Sequence, residues 1–247
     1  MRVGLFRPSH LERHLPDALL PVTSSLCRQI AKESAGQGSF ASQGIDVRWI
    51  IFLLVAAFLA VFLFQDCSRK VSISSGAIVF LGDSITAGYG LDPERAYPAL
   101  IEIKGMTMVN LGISGSKTED GLQRLKTYFD SGGNPQLVVI ALGANDILHG
   151  VDSSATEANL AAMVQLCKSH NVPAMLCGIH IPFKFGSDAI FENVAREGHV
   201  PLLPDLMQGE ETEPDLLQGD GMHPNADGQK IIARKMQAAL LESFSFR

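Results

Sequence analysis

Beyond residue 70 the chain alternates between short apolar runs and amphipathic stretches. The runs are Ala77–Leu81, Met106–Asn110, Leu137–Leu142, Ala174–Ile179 and Val200–Leu203, each closed by Gly, Pro, Asn or another polar residue. Continuous apolar segments of this length predict strands buried on both faces rather than half-exposed ones. Between them the period changes to that of a helix. Leu160, Met163, Val164 and Cys167 fall at i, i+3, i+4 and i+7, and Leu122, Leu125 and Phe129 follow a capping-box pattern formed by Ser116 and Glu119. A last helix carries Ile232, Met236, Ala239 and Leu240 on one face, with Asn225 and Asp227 at its start. Strands alternating with helices predict an α/β domain: a five-stranded parallel sheet between two helical layers, a three-layer α/β/α arrangement of flavodoxin-like type, over residues 72–247.

A different pattern precedes it. Trp49 to Phe64 is a run of sixteen apolar residues without charge. As a helix it covers about 24 Å, slightly short of a hydrocarbon core of about 30 Å. Trp49, Arg48, Arg69 and Lys70 flank it with residues suited to the lipid–water interface. Small residues spaced for signal cleavage do not follow at Phe64-Gln65-Asp66; a lipoprotein-type signal ending at Cys67 is the alternative, with Asp66 a poor neighbour for that processing. The expectation is one N-terminal transmembrane helix over residues 49–66, an uncleaved anchor. Residues 1–48 lack sustained periodicity and read as a disordered segment, with Val47 an alternative natural start. They hold six Lys or Arg, a mild bias for an N-terminus inside and a domain outside the cytoplasm, in the periplasm or its equivalent.

Composition narrows the partners. The 247 residues are 46% apolar and 19% charged with a net charge of −6, which argues against nucleic acid. Cys27, Cys67, Cys167 and Cys177 have no paired short spacing, so neither a zinc site nor a disulfide framework is indicated; Cys167 and Cys177 read as buried thiols.

The candidate chemistry lies just after the apolar runs, where open α/β sheets place their ligands. Gly82-Asp83-Ser84 follows the first. Asn110-Leu111-Gly112-Ile113-Ser114-Gly115 follows the second, Gly143-Ala144-Asn145-Asp146 the third, and Asp220-Gly221-Met222-His223-Pro224 precedes the last helix. A hydroxyl, an imidazole with a carboxylate three residues away, and amide donors are the parts that acyl transfer needs. Gly112-Ile113-Ser114-Gly115-Ser116-Lys117-Thr118 is not a phosphate-binding loop, because Ser116 rather than Gly precedes Lys117 and only two residues separate the glycines. The Gly-x-Ser-x-Gly elbow of α/β-hydrolases is absent.

These four blocks, in this order, resemble the SGNH (GDSL-type) hydrolases, and most closely their bacterial thioesterase/lysophospholipase/arylesterase branch, over residues 77–243. The resemblance implies an SGNH hydrolase fold and a serine hydrolase of carboxylic esters. Ser84 would be the nucleophile, His223 the general base and Asp220 its orienting carboxylate. The backbone N–H groups of Ser84 and Gly115 and the Asn145 amide would form the oxyanion hole, with Gly112 the alternative glycine. It implies no metal and no organic cofactor, a small-molecule or lipid ester as substrate, and no obligate protein partner. A carbohydrate O-acetyl esterase or acetyltransferase acting on envelope glycans is the alternative activity, since the same fold supports it. Asp83 and Asp146 read as loop-bracing carboxylates, and His149, His170, His180 and His199 as surface or satisfied positions. Tyr97, Ile147, Phe183 and Phe185 are candidates for an acyl groove whose depth depends on loops 147–155 and 180–188.

Overall fold

The computed structural model, which describes residues 51–52, 70–180, 187–209 and 212–247, has the runs at 78–81, 137–141 and 174–177 in strands with no wet face. The run Met106–Asn110 instead lies at the edge of the sheet with Thr107 and Asn110 exposed, so the expected burial on both faces does not extend to it. After a short β1 (Val71–Ile73) come β2 (Gly76–Gly82), β3 (Met106–Asn110), β4 (Leu137–Ala141), β5 (Ala174–Cys177) and β6 (Leu202–Leu203). β2 to β6 form one parallel sheet in the order β3-β2-β4-β5-β6. The first strand of the sheet thus lies between the second and third, so the chain switches direction across the sheet at the end of β2.

Alternation along each strand divides the core in two. Ile78, Phe80 and Val139 point to one face, where Ile232, Ala233, Met236 and Leu240 of the last helix pack with Tyr97, Ile101 and Ile103. Val79, Leu81, Val138 and Ile140 point to the other, against Leu125, Phe129, Leu160, Met163, Val164, Cys167, Phe191 and Val194. The helices are α1 (Ser84–Ala87), α2 (Thr118–Asp130), α3 (Ala144–Leu148), α4 (Ser153–Ser169), α5 (Ser187–Gly198) and α6 (Ala226–Ser243). α2, α4 and α5 cover one face and α6 the other, giving the expected three layers.

Several boundaries differ from the pattern. β5 stops at Cys177, short of the expected Ile179, and Gly178 beyond it packs so closely on Pro204 that a Cβ there would lie 2.1 Å from the Pro204 carbonyl oxygen. Ser116 does not cap α2. The N-cap is Lys117, whose N–H is accepted by Asp120 Oδ2 at 2.9 Å, while Ser116 Oγ accepts from Arg124 Nη1 at 3.0 Å. α6 begins as expected, with Asn225 Oδ1 accepting from the N–H groups of Asp227 and Gly228. An unforeseen second sheet pairs β1 in parallel with β7 (Phe244–Phe246), Val71 opposite Phe244 and Ile73 opposite Phe246.

Ser68–Arg247 forms one compact unit. Apart from Ile51 and Phe52, the expected anchor at 49–66 lies outside the described residues, as do residues 1–48. Among the described residues no helix is long and apolar enough to cross a membrane.

Candidate active site

The turn after β2 brings its hydroxyl to the sheet edge by tight packing. A Cβ on Gly82 would sit 2.0 Å from Thr86 Oγ1, so only glycine lets α1 fold back against the strand end. Asp83 caps this one-turn helix, its Oδ1 accepting the Ile85 N–H at 3.0 Å. α1 is then tied down from two sides. Asn110, at the end of β3, donates through Nδ2 to the Thr86 carbonyl at 2.7 Å. Gln229 of α6 donates to the Ile85 carbonyl at 3.0 Å and accepts the Tyr97 N–H at 2.7 Å. Neither role was read from the sequence. Gln229 did leave a signal, since it shares the apolar face of Ile232, Met236 and Leu240, where a polar residue needs partners.

Ser84 and His223, 139 positions apart, meet here: His223 Nε2 lies 3.0 Å from Ser84 Oγ. Asp220 Oδ2 lies 2.7 Å from His223 Nδ1 on the other side of the ring. Asp220 Oδ1 also accepts the N–H groups of His223 and Met222, both at 3.0 Å. These bonds, the backbone one from His223 foremost, pull the Asp220 carboxyl down to about 2. The loop is anchored behind the imidazole by Gln218, whose N–H donates to the His223 carbonyl at 2.8 Å.

Gly115 and Asn145 border the same cavity. Gly115 has φ of 78°, and a Cβ there would meet nothing within 4 Å, so its backbone is open to a ligand. Among the described residues neither the Ser84 nor the Gly115 N–H is bonded. Asn145 Nδ2 donates to the Ser116 carbonyl at 3.1 Å and approaches Asp83 Oδ2 at 3.5 Å. The alternative glycine is occupied otherwise. The Gly112 N–H donates to Asn110 Oδ1 at 2.8 Å, and a Cβ there would sit 2.3 Å from the Ala87 backbone nitrogen, so Gly112 is a packing residue.

The bracing carboxylates differ in character. Asp146 is buried and accepts both the N–H and the hydroxyl of Thr118, joining α3 to the start of α2. Asp83 is equally buried but also borders the cavity, and burial pushes its carboxyl up to about 6 against the opposing pull of the Ile85 N–H and the His223 and Arg124 charges.

The cavity, of about 430 Å³, is bordered by Ile85, Leu148, Ile179, Met207 and Met222 beside Ser84 and His223. Tyr97 is not part of it: the ring is fully buried in the core, edge-on to Phe80, with its hydroxyl 3.1 Å from Thr86 Oγ1. Ile147 packs inward against the helical layer, and its neighbour Leu148 faces the cavity instead. Phe183 and Phe185 lie outside the described residues. His180 borders the cavity, and its N–H reaches Asp205 Oδ1 at 3.4 Å. His149 is exposed with Nδ1 2.7 Å from the Asn145 carbonyl, and His170 stacks on Phe129 at 4.0 Å.

A hydroxyl, imidazole and carboxylate in line at a parallel sheet's carboxyl edge, with amide donors beside them, define the serine-hydrolase class of site. The model of the GDSL-like Lipase/Acylhydrolase family matches residues 80–231. The chain is 35% identical over 188 residues to "Thioesterase 1/protease 1/lysophospholipase L1" of Escherichia coli (strain K12), covering 72% of this chain and 90% of that protein. It is 32% identical to an "Arylesterase" of Vibrio mimicus, covering 71% and 94%. Among solved structures it matches the psychrotrophic esterase EstA from Pseudoalteromonas sp., inhibited by monoethylphosphonate, at a TM-score of 0.62 and 30% identity over 66% of this chain and 95% of that one. The SGNH-hydrolase family esterase AlinE4 gives a TM-score of 0.56 at 31% identity over 69% and 96%. This chain belongs to the GDSL-like lipase/acylhydrolase, or SGNH hydrolase, family.

Proposed function

We propose that this protein is a serine esterase that hydrolyses small acyl esters, thioesters or lysophospholipids through an acyl-Ser84 intermediate. The observation that carries the reading is the Ser84–His223–Asp220 chain of 3.0 and 2.7 Å contacts at the wall of an apolar cavity. His223 Nε2 takes the Ser84 proton as Oγ attacks the acyl carbon. Asp220 keeps the other ring nitrogen protonated and stabilises the imidazolium that forms. The oxyanion is received by the N–H groups of Ser84 and Gly115 and by Asn145 Nδ2, each such donor being worth about 3 kcal/mol in the transition state. The bond to the leaving oxygen or sulfur then breaks, and that atom takes the proton from Nε2. Water repeats the sequence on the acyl-enzyme: His223 accepts its proton, the acid departs, and Ser84 Oγ is reprotonated. A largely apolar lining supports an acyl chain over an acetylated glycan as the group bound.

Ser84→Ala is expected to reduce hydrolysis of p-nitrophenyl esters to background and to abolish labelling by a fluorophosphonate probe. Labelling that persists in the variant would place the nucleophile elsewhere.

Residues 49–66 are assigned to an anchor that holds the 72–247 domain at a membrane, facing out of the cytoplasm. The uncharged run from Trp49 to Phe64 and its basic flanks support this. The full chain is expected to stay with membranes after alkaline carbonate extraction, and residues 72–247 alone to be released. A full chain found in the extract defeats the anchor.

A further inference from the structure

We infer that Tyr89 is a specificity-determining residue for the leaving group, forming the aromatic wall against which the alcohol portion of the ester lies. The inference rests on the hydrolase reading above and goes beyond it, because the triad itself says nothing about which alcohols are preferred.

Tyr89 borders the cavity with Ser84 and His223, and its ring centroid lies 4.6 Å from that of His223 at a tilt of 40°. The residue is 51% exposed, yet it is not loosely held. Its N–H donates to the Ser84 carbonyl at 3.0 Å, and its carbonyl accepts from Gln218 Nε2 at 2.6 Å. Gln218 in turn donates from its N–H to the His223 carbonyl and from Nε2 to the Pro224 carbonyl at 3.0 Å. A half-exposed aromatic side chain is thus pinned through its backbone to both the nucleophile turn and the imidazole loop. Its body is presented to solvent at the cavity rather than to the core.

The chemistry says what meets it. For the acyl–oxygen bond to break, His223 Nε2 must donate a proton to the leaving oxygen, which therefore sits within about 3 Å of Nε2. The first atoms of the alcohol then lie beside the imidazole, within reach of the ring that leans on it. Aromatic groups pair with such a ring by offset or edge contacts worth about 0.5–1.5 kcal/mol beyond burial. Esters of flat aromatic alcohols are therefore favoured over esters of saturated alcohols of the same size.

The test holds the acyl group constant and compares benzyl acetate with cyclohexylmethyl acetate, whose alcohols are similar in size and acidity. In Tyr89→Leu the ratio of their kcat/KM values falls by roughly two- to twelvefold, the range an aromatic pair accounts for, and Tyr89→Phe keeps the wild-type ratio. Fluorophosphonate labelling of Ser84 persists in Tyr89→Leu, since fluoride as leaving group needs no aromatic wall. An unchanged ratio in Tyr89→Leu overturns the inference. So does an equal loss on both esters with slowed labelling, which makes the ring a restraint on His223 alone. If the wild type is not labelled at Ser84, the hydrolase reading itself fails, and that outcome is distinct from either.

Discussion

Asp83 and Asp220 are chemically identical side chains beside one imidazole, and their surroundings drive them apart. Asp220 accepts two backbone N–H bonds and faces Nδ1 of His223, which favours its charged form; its carboxyl falls to about 2 and stays ionised into strong acid. Asp83 is buried, and loss of hydration outweighs the Ile85 N–H and the His223 and Arg124 charges, leaving its carboxyl at about 6 instead of 3.8. The linkage follows from the sign. Between about pH 4 and pH 6 the folded chain holds a proton on Asp83 that the unfolded chain has released, so stability from this group falls as pH rises through that window and levels off above it. Asp83→Asn keeps an acceptor for the Ile85 N–H and removes the titration. In urea denaturation at pH 4, 5, 6 and 7 the variant is expected to lack a decline of order 2–3 kcal/mol that the wild type shows. Parallel pH profiles for the two proteins would contradict the assignment.

At the scale of elements, α1 is the instructive case. Four residues cannot make a stable helix alone, because nucleation fixes more dihedrals than its few hydrogen bonds repay. Its geometry comes from neighbours: the Asp83 cap, the left-handed Gly88 that ends it, Asn110 from β3 and Gln229 from α6. Gln229 couples two elements of the site, since the helix that follows the His223 loop grips the helix that begins with Ser84. Gln229→Leu preserves volume but leaves the buried Tyr97 N–H without its acceptor, while the Ile85 carbonyl keeps the Gly88 N–H at 3.3 Å. A loss of about 1–3 kcal/mol in urea denaturation is expected, the cost of one orphaned buried group, together with a lower kcat. Unchanged stability would show that this bridge holds nothing.

Across the whole domain, stability is shared between two apolar clusters on opposite faces of the sheet and a small clasp at the chain ends. β7 returns beside β1, so residues more than 170 positions apart close the domain. Phe244 anchors that clasp at 2% exposure within the cluster built on α6. Phe244→Ala is expected to cost about 3–5 kcal/mol, the usual range for a truncated core phenylalanine, and to lower the urea midpoint without changing the order of ester preferences. A cost under about 1 kcal/mol would mean that the strand pair is incidental to folding.

What was legible in the amino-acid order was whatever local chemistry determines. Short apolar runs of about four to six residues closed by polar or turn residues suit the strands of a helix-covered sheet. Five strands and their helical partners were therefore readable, although the run Met106–Asn110 proved to be a half-exposed edge strand. The four polar blocks, including Ser84, Asn145, Asp220 and His223, were readable too. β1 and β7, three residues each, carry too little periodicity to be seen, and the capping of α2 slid from Ser116 to Lys117 because Ser116 serves Arg124 instead. Tyr97 and Ile147 could not be told from cavity residues, since apolar character is the same whether a side chain faces core or cleft. Only the packed structure decided that Gly115 stays open while Gly112 is closed by Ala87, that Gln229 spans two helices, and that Tyr89 leans on the imidazole. Those are distances between segments far apart in the chain, and they exist only once the sheet has brought its strand ends together.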